Sequence, residues 1–235
     1  MADKYSRRKF LGTMTAAVAI DAAAGSVGAA QSQKSGKTRI IGIACSPRKG
    51  KTTAASLRVC LDAAAQTDPA IETELIELAG MKIDGSLAAG LPLEPGQKDD
   101  FPQLIPNLSD PSIGGIIIGT PVYFNNMTSL CKAFIERCMV FYKNSALKNK
   151  AAGILAVGSC RNGGQELTIQ SIQAALFCQE MVIVGAAKPN RRIGATVWNK
   201  DGDVTKDEFG MATAKNLGQR VARVALQLKA AATYR

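Results

Sequence analysis

Three short polar segments each follow an apolar run of the sequence, and the first of them holds the residue types that bind an anion. The apolar run at residues 40–45 leads into a segment of hydroxyls, cations and a glycine: Ser46, Arg48, Lys49, Gly50, Thr52 and Thr53. Hydroxyls, cationic side chains and the N–H groups at a helix start are common ligands of phosphate. A glycine lets the backbone approach a ligand closely. The first segment therefore predicts a site for a phosphate-bearing molecule.

The second and third segments suit a flat ring. The second contains Pro121, Val122, Tyr123, Phe124, Asn125 and Asn126, and the third contains Ser159, Arg161, Asn162 and Gly163. Aromatic rings can lie against a planar group, and amides can meet its polar edge. The glycines of the third segment let the backbone pass close to a ligand edge. A phosphate, a planar ring and ring-edge donors together predict flavin mononucleotide (FMN).

The elements that must position these segments alternate along the chain. Apolar runs predict strands at residues 39–45, 71–78, 114–119, 151–158 and 181–185, with a short further strand at 195–198. Helical patterns occupy residues 51–66, 99–108, 126–142, 165–178 and 205–228, and residues 80–97 predict a long loop. Apolar strands that alternate with helices are typical of an α/β fold, with a parallel sheet covered on both faces. The three segments then meet at the carboxyl ends of the strands.

Other chemistry fits the residues less well. Gly50-Lys51-Thr52 ends like the phosphate loop of a nucleotide triphosphatase, but Cys45 stands where that motif needs its first glycine. The chain has no histidine, which excludes a Ser-His-Asp triad. Its six cysteines form no C-x-x-C pair, so zinc and cluster sites lack local support. We expect mostly buried free thiols.

The composition and charge distribution of the chain disfavour nucleic acid and the membrane interior as partners. The formal net charge is +10 at pH 7, but the cations are scattered and do not interleave with aromatics, which disfavours nucleic acid. Hydrophobic residues make up 46% of the chain and charged residues 20%, which is ordinary for a soluble protein. Stable membrane insertion is not expected, because no apolar run has the length and flanks of a spanning helix.

The N-terminus has the order of an export signal. Ser6-Arg7-Arg8-Lys9-Phe10-Leu11-Gly12 is a twin-arginine sequence, and an Ala-rich stretch at residues 13–24 and small residues at 25–30 follow it. This order predicts a twin-arginine signal peptide at residues 1–30, a linker at 31–38 and a folded domain at 39–235. The protein would then be exported to the periplasm. The alternative is a basic N-terminal arm.

The three segments resemble those of the NADPH-dependent FMN reductase and iron–sulfur flavoprotein family. The resemblance lies in residues 46–53, 119–124 and 158–165, and extends over about residues 39–228. It implies a flavodoxin-like, doubly wound, five-stranded parallel sheet of order 2-1-3-4-5 and non-covalent FMN. The first segment would surround the phosphate, the second would line the isoalloxazine and the third would close its other side. The resemblance also implies a homo-dimer or homo-tetramer.

The chain departs from the family at the loop after the second strand, where residues 81–90 contain no cysteine. We therefore expect no iron–sulfur cluster. Export would separate the protein from NAD(P)H, so a redox protein is the other candidate donor. The predicted function is FMN-dependent reduction of a small-molecule acceptor, with Arg161 stabilising negative charge on the reduced cofactor. Open alternatives are a flavodoxin-type electron carrier, a non-redox anion- or nucleotide-binding module and a magnesium-dependent triphosphatase.

Overall fold

Strands and helices alternate along residues 36–232, the part of the chain that the computed structural model describes. The proposed signal peptide and most of the proposed linker lie outside the described residues. The strands are β1 (Thr38–Ala44), β2 (Ile71–Glu77), β3 (Ile113–Pro121), β4 (Ala151–Gly158), β5 (Val182–Ile183) and β6 (Ala195–Trp198). The α-helices are α1 (Thr52–Ala65), α2 (Ile105–Leu108), α3 (Ser129–Arg137), α4 (Met139–Tyr142), α5 (Gln165–Phe177) and α6 (Glu208–Ala232). Short 3-10 helices lie at Gly85–Ala89, Phe101–Leu104 and Val204–Lys206.

All strand pairs in the described sheet are parallel, and the order is β2-β1-β3-β4-β5. The predicted α/β fold and strand order are therefore confirmed. The order in which successive strands are added to the sheet reverses between β1 and β3, which pair in parallel along residues 39–44 and 113–119. In sheets of this kind ligands bind outside the carboxyl ends of the strands beside that reversal.

The far edge of the sheet differs from the prediction of five strands, because the described sheet has six. β5 is only two residues long and pairs with the start of β4, at Ala151 and Ala152. The chain then leaves the sheet and returns as β6, which pairs with residues 155–158 of β4. Two short strands thus share one edge position, and the excursion between them occupies residues 184–194.

Neighbouring residues of β1 bury their side chains on opposite faces of the sheet. Ile40 lies in the core beneath α1 and α6, and Ile41 lies in the core beneath α3 and α5. Both are fully buried, and each such side chain contributes about 1.5–3 kcal/mol to folding. On the first face α1 and α6 approach so closely that a Cβ at Gly218 would meet the carbonyl oxygen of Cys60. Helices therefore cover both faces, as the sequence predicts.

Two helices have an end that differs by three residues or more from the sequence prediction, and the helix predicted at 99–108 is a 3-10 turn, Phe101–Leu104, followed by α2. The single helix predicted at residues 126–142 is α3 followed by α4, and it begins only at Ser129 because Thr128 caps it. The closing helix, predicted at residues 205–228, begins at Glu208 and continues to Ala232, after a separate 3-10 turn. None of the helices within residues 36–232 is long and apolar enough to cross a lipid bilayer.

Candidate functional site

The three predicted segments lie side by side at the carboxyl edge of the sheet. We call them loop 1 (residues 45–51), loop 2 (residues 122–128) and loop 3 (residues 159–164). The first two loops continue the hydrogen bonding of the strands before them. Cys45 N donates to the carbonyl of Gly119 at 2.8 Å, and Val122 N donates to the carbonyl of Val157 at 2.8 Å. Because three consecutive neighbours in the sheet end together, one ligand can contact all three loops.

Loop 1 is held by its own serine. The hydroxyl of Ser46 is buried and accepts a 3.1 Å hydrogen bond from Arg48 N, while Arg48, Lys49 and Gly50 are exposed. Helix α1 follows, and its N-cap residue, Lys51, makes no side-chain cap hydrogen bond. An uncapped helix start leaves backbone N–H groups that an anion can satisfy. The loop thus places cations and a helix start on one side of the candidate site.

A carboxylate already contacts this loop. Gly50 N donates to Glu77 Oε2 at 2.6 Å, and the other oxygen of Glu77 pairs with Arg58 at 3.1 Å. Gly50 has a φ of 65°, which a glycine adopts without strain. Glu77 ends β2, so the strand next to β1 supplies an acidic group at the proposed phosphate site. The sequence pattern did not single out Glu77, because the contact joins residues that are 27 apart.

Loop 2 begins with a tight turn that presents an aromatic ring. Tyr123 N donates to the carbonyl of Asn126 at 2.8 Å, and Asn126 N donates back at 3.0 Å. The two central residues, Phe124 and Asn125, have φ values of 50° and 60°. Asparagine tolerates this conformation, whereas a bulky residue such as phenylalanine is strained there. The side chain of Phe124 is fully exposed, so the turn holds an apolar ring out beside the site.

Asn126 has a structural role at the end of this turn. Its side-chain oxygen accepts hydrogen bonds from Met127 N at 2.8 Å and from the hydroxyl of Ser171, on α5, at 3.0 Å. The amide group of Asn126 retains its two N–H donors for other partners. The remaining predicted residues of this segment divide by burial: Pro121 is buried, Val122 is half-buried and Asn125 is exposed.

Thr128 connects the first two loops. Its buried hydroxyl donates to the carbonyl of Cys45 at 2.7 Å and accepts from Cys131 N at 3.1 Å, in the first turn of α3. Thr128 N also donates to the hydroxyl of Thr120 at 3.2 Å. Thr128 is not among the residues predicted for the site, although threonine before a helical pattern is a recognisable N-cap signal.

Loop 3 folds around a buried glutamine. Gln165 Nε2 donates to the carbonyl of Cys160 at 2.7 Å and to that of Val197 at 3.2 Å, and its Oε1 accepts from Gly163 N at 2.8 Å. Gly164 has a φ of 88°, and a Cβ there would lie 3.0 Å from the Cα of Asn125. Loops 2 and 3 therefore touch, and only glycine fits between them.

Arg161 of loop 3 is bound to the closing segment of the chain. Its guanidinium pairs with Asp207, a buried carboxylate that also accepts from Trp198 N at 2.7 Å and from Gly210 N at 3.0 Å. The guanidinium lies 5.9 Å from the ring centroid of Trp198 and 5.4 Å from that of Phe209. Desolvation lowers the pKa of Arg161, and the nearby Glu166 opposes that effect. The positive charge predicted to face a reduced cofactor is thus partly compensated by Asp207.

The other side of loop 3 faces β6. The carbonyl of Ser159 accepts from the indole N–H of Trp198 at 2.9 Å, and Asn162 is exposed. Asn199, just after β6, donates its backbone N–H to Gly158 at 2.8 Å. Its side-chain oxygen is buried, with no hydrogen-bond partner among the described residues. A buried acceptor without a donor is costly, which marks this position as one where a ligand donor would be favourable.

The residue types in these three loops fit the phosphate and the ring of FMN. Loop 1 offers cations, a hydroxyl and a helix start for the phosphate, and loop 2 offers exposed aromatic rings for the isoalloxazine. Loop 3 brings its backbone to within contact of loop 2, through a glycine that leaves no room for a side chain. The set contains no histidine and no cluster of three potential metal ligands within residues 36–232. The chemistry it can support is therefore binding and orientation of a phosphate-bearing ring.

Comparison with known proteins decides the family. The sequence profile described as NADPH-dependent FMN reductase matches residues 38–192. The chain belongs to the NADPH-dependent FMN reductase family. An iron–sulfur flavoprotein of Methanocaldococcus jannaschii is 35% identical over 195 residues, covering 81% of this chain and 99% of that one. An iron–sulfur flavoprotein of Methanosarcina thermophila is 31% identical over 190 residues, covering 79% and 94%.

Two solved structures agree with this chain in fold. A WrbA-like flavodoxin from Agrobacterium tumefaciens superposes with a TM-score of 0.54 at 19% identity, over 81% of this chain and 99% of that one. RosB, solved with a bound riboflavin-phosphate intermediate, superposes with a TM-score of 0.63 at 15% identity, over 82% and 81%. The flavodoxin-like fold is confirmed. This member of the FMN reductase family is an FMN-dependent oxidoreductase.

The thiols of this FMN reductase homologue are free within residues 36–232, and four are buried. The predicted state, mostly buried free thiols, is confirmed. Burial raises the pKa of the Cys45 thiol well above its ordinary value, and the neighbouring Cys131 raises it further. Burial likewise raises the pKa values of Cys60 and Cys138. Burial therefore favours the protonated form of these three thiols.

Proposed function

We propose that loops 1, 2 and 3 hold non-covalent FMN, and that the enzyme uses it to pass electrons to a small-molecule acceptor. The observation that carries this proposal is the contact among the three loops at one sheet edge, in a chain of the FMN reductase family. FMN supplies the redox chemistry when bound, and the protein's residues bind and orient it. No side chain is required as a covalent nucleophile.

Each loop has a separate role in this proposal. Ser46, Arg48 and the start of α1 bind the phosphate, with Lys49, Gly50, Thr52 and Thr53 around it. The turn at residues 123–126 lies along the ring, and the backbone of loop 3 limits the other side. Thr128 keeps loops 1 and 2 at a fixed separation. Since the two loops hold different parts of one ligand, that separation sets where the ring lies relative to the phosphate.

The visible spectrum of the purified protein tests the proposal. We expect a yellow protein whose pigment is released by denaturation and identified as FMN by mass spectrometry. If the protein is isolated without pigment, incubation with excess FMN should give a stoichiometric complex. A protein that stays colourless after incubation contradicts the proposal and favours the non-redox anion-binding module.

The electron donor and the acceptor are part of the proposal. One relative in Archaeoglobus fulgidus is named NAD(P)H dehydrogenase (quinone), and it is 34% identical over 115 residues, 48% of this chain and 60% of that one. We infer that NAD(P)H reduces the enzyme where the nucleotide is available, and that a redox protein does so after export. Anaerobic mixing with NADH, NADPH or dithionite, followed by a quinone, separates these cases. Reduction without turnover of any acceptor would favour a flavodoxin-type electron carrier.

We also propose that the enzyme works without an iron–sulfur cluster, although its relatives are named iron–sulfur flavoproteins. The loop at residues 81–90, where the family resemblance places the cluster cysteines, contains none. Iron and acid-labile sulfide analysis of protein purified without oxygen tests this. Stoichiometric iron and sulfide would overturn it.

Export by the twin-arginine route is proposed from the order of residues 6–30. A reporter fused behind residues 1–36 should be translocated, and Arg7→Lys with Arg8→Lys should block that translocation. Translocation that is indifferent to both arginines would remove the argument for a periplasmic enzyme.

We further propose that the enzyme assembles as a homo-dimer or homo-tetramer. Apolar side chains on α4 and at the end of α5 are exposed, among them Met139, Val140, Tyr142 and Phe177. The two helices are neighbours, since Gln179 donates to the carbonyl of Cys138 at 3.1 Å. Exposed apolar groups that cluster in this way are typical of subunit contacts. Light scattering of wild type and Phe177→Asp tests this, and a monomeric wild type would contradict it.

A further inference from the structure

A basic groove lies at the edge of the sheet, between the β5–β6 excursion and α6. Its volume is about 590 Å³. Four cations line it: Lys188 and Arg191 from the excursion, and Arg220 and Arg223 from α6. The other lining residues, which run from Ile183 to Ala187, are apolar or glycine. The groove therefore combines an apolar floor with a rim of a single charge sign.

The four cations have no carboxylate partner among residues 36–232. None of the ion pairs formed between residues 36–232 includes any of them, and no acidic side chain lines the groove. Arg220 and Arg223 are three residues apart on α6, so they lie on the same face, where like charges repel. An anion bound between the four would relieve that repulsion.

Hydrogen bonds hold the excursion that carries two of these cations. Ala186 N donates to the carbonyl of Arg192 at 2.9 Å, and Arg191 N donates to that of Ala187 at 2.9 Å. Gln173 Nε2, from α5, donates to the carbonyl of Ile193 at 2.7 Å. Arg191 has a φ of 47°, a strained conformation for a residue with a long side chain. Strain of this kind is often found where a side chain is held for a function.

The groove is distinct from the site at the three loops. Val184 N, on the excursion side of the groove, donates to the carbonyl of Ala152 at 2.9 Å. Val221, on α6, lies against Gly153. Both sides of the groove therefore lie beside the first residues of β4. The loops begin after Gly158, five residues further along that strand. At ~3.3 Å per residue this is about 17 Å. One phosphate group cannot occupy both places.

We propose that this groove binds a phosphorylated small molecule of nucleotide size that carries at least two phosphoryl groups. The volume lies within the range of about 300–1,000 Å³ that is usual for small-ligand sites. Guanidinium groups bind phosphoryl oxygens in a bidentate manner, and three of the four cations are arginines. The apolar floor, which includes the buried residues Val184 and Ala186, suits the uncharged part of such a molecule. This assignment does not depend on the proposed flavin chemistry.

Calorimetric titration with ADP and with inorganic pyrophosphate tests the groove. We expect both probes to bind at low ionic strength, ADP more tightly, and both to weaken as salt is added. Arg220→Gln with Arg223→Gln should weaken binding by about tenfold or more, because two of the bidentate contacts are lost. Lys206→Gln with Lys215→Gln removes the same charge from exposed positions outside the groove, and should leave both affinities within about twofold of wild type.

Loop 1, with the start of α1, is the other place where these phosphate probes could bind. Ser46→Ala with Thr53→Ala alters only loop 1 and the first turn of α1, so it should leave the affinity for ADP unchanged if the groove is the site. Weakening by this variant, or equal weakening by the groove and control variants, would overturn the proposal. Absence of binding to the wild type at low salt would also overturn it. Thermal unfolding of each variant shows that the comparison is made between folded proteins.

Discussion

The hydroxyl of Thr128 donates a 2.7 Å hydrogen bond to the backbone carbonyl of Cys45, 83 residues earlier in the chain. The same oxygen accepts from Cys131 N and so caps α3. One buried side chain thereby fixes the end of β1, the end of loop 2 and the start of a helix. This contact therefore joins the proposed phosphate site directly to the proposed ring site.

Thr128→Ala should destabilise the protein by about 1–2 kcal/mol, because it removes a helix cap and leaves the carbonyl of Cys45 without its donor. It should also weaken FMN binding, since loops 1 and 2 lose their connection. Thr128→Ser keeps the hydroxyl and is the matched control. Urea denaturation and flavin fluorescence titration measure the two effects. Equal behaviour of the alanine and serine variants would show that the hydrogen bonds contribute little.

Ser46→Ala with Thr53→Ala should weaken FMN retention, because both hydroxyls lie in the segment assigned to the phosphate. We expect a loss of about tenfold in affinity, or about 1.4 kcal/mol. Ser86→Ala with Thr205→Ala removes two hydroxyls from turns outside the three loops and serves as the control. Flavin content after gel filtration and the dissociation constant by fluorescence are the measurements. Unchanged flavin stoichiometry in the first variant would count against the phosphate assignment.

Glu77→Gln should tighten FMN binding. The carboxylate of Glu77 accepts from Gly50 N in loop 1, so a bound phosphate would meet a second negative charge there. Glutamine keeps an acceptor for Gly50 N and removes that charge, and we expect a gain of up to about 1 kcal/mol at low salt. Glu72→Gln, at another position of β2, is the control. The gain should fall as salt is added, and an affinity that falls instead would show that Glu77 assists binding.

Gly164→Ala should destabilise the protein more than Gly80→Ala. Both glycines have φ values above 80°, so alanine is strained at each, by about 1 kcal/mol. A Cβ at Gly80 would meet nothing within 4 Å, whereas one at Gly164 would press on Asn125 of loop 2. The difference between the two variants, by chemical denaturation, isolates the contact between loops 2 and 3. Equal losses would mean that loop 2 moves aside at little cost.

The strands beneath the site could be predicted because their signal is local. The apolar run at residues 151–158 coincides with β4. The bounds predicted for β1 and β2 differ from the observed bounds by one residue. The sixth strand could not be counted in the same way. β5 and β6 share one edge position of the sheet, and which residues pair with β4 depends on an excursion of 11 residues, not on their own composition.

The chemistry of the loops was predictable by residue type, and their internal contacts were not. Hydroxyls, aromatics and glycines after strands are visible in the sequence. The partners that hold them come from far along the chain: Thr128 donates to the carbonyl of Cys45 across 83 residues, and Asp207 accepts from Arg161 across 46 residues. The residue type of Asn126 predicts a ligand, and the structure adds that its side-chain oxygen accepts from the hydroxyl of Ser171, a contact across 45 residues. Long-range hydrogen bonds of this kind have no spacing that a pattern can detect.

Asp207→Asn should destabilise the protein by about 2 kcal/mol. Both carboxylate oxygens of Asp207 accept backbone N–H groups, from Gly210 and Trp198, and an amide would turn a donor toward one of them. Arg161 would also lose its partner beside the ring of Trp198, the one tryptophan of the chain, so the tryptophan emission should shift. Asp203→Asn, at a half-buried turn position, is the control and should cost less. Unfolding free energy and emission spectra measure both effects, and an unchanged emission maximum would place Arg161 away from the indole.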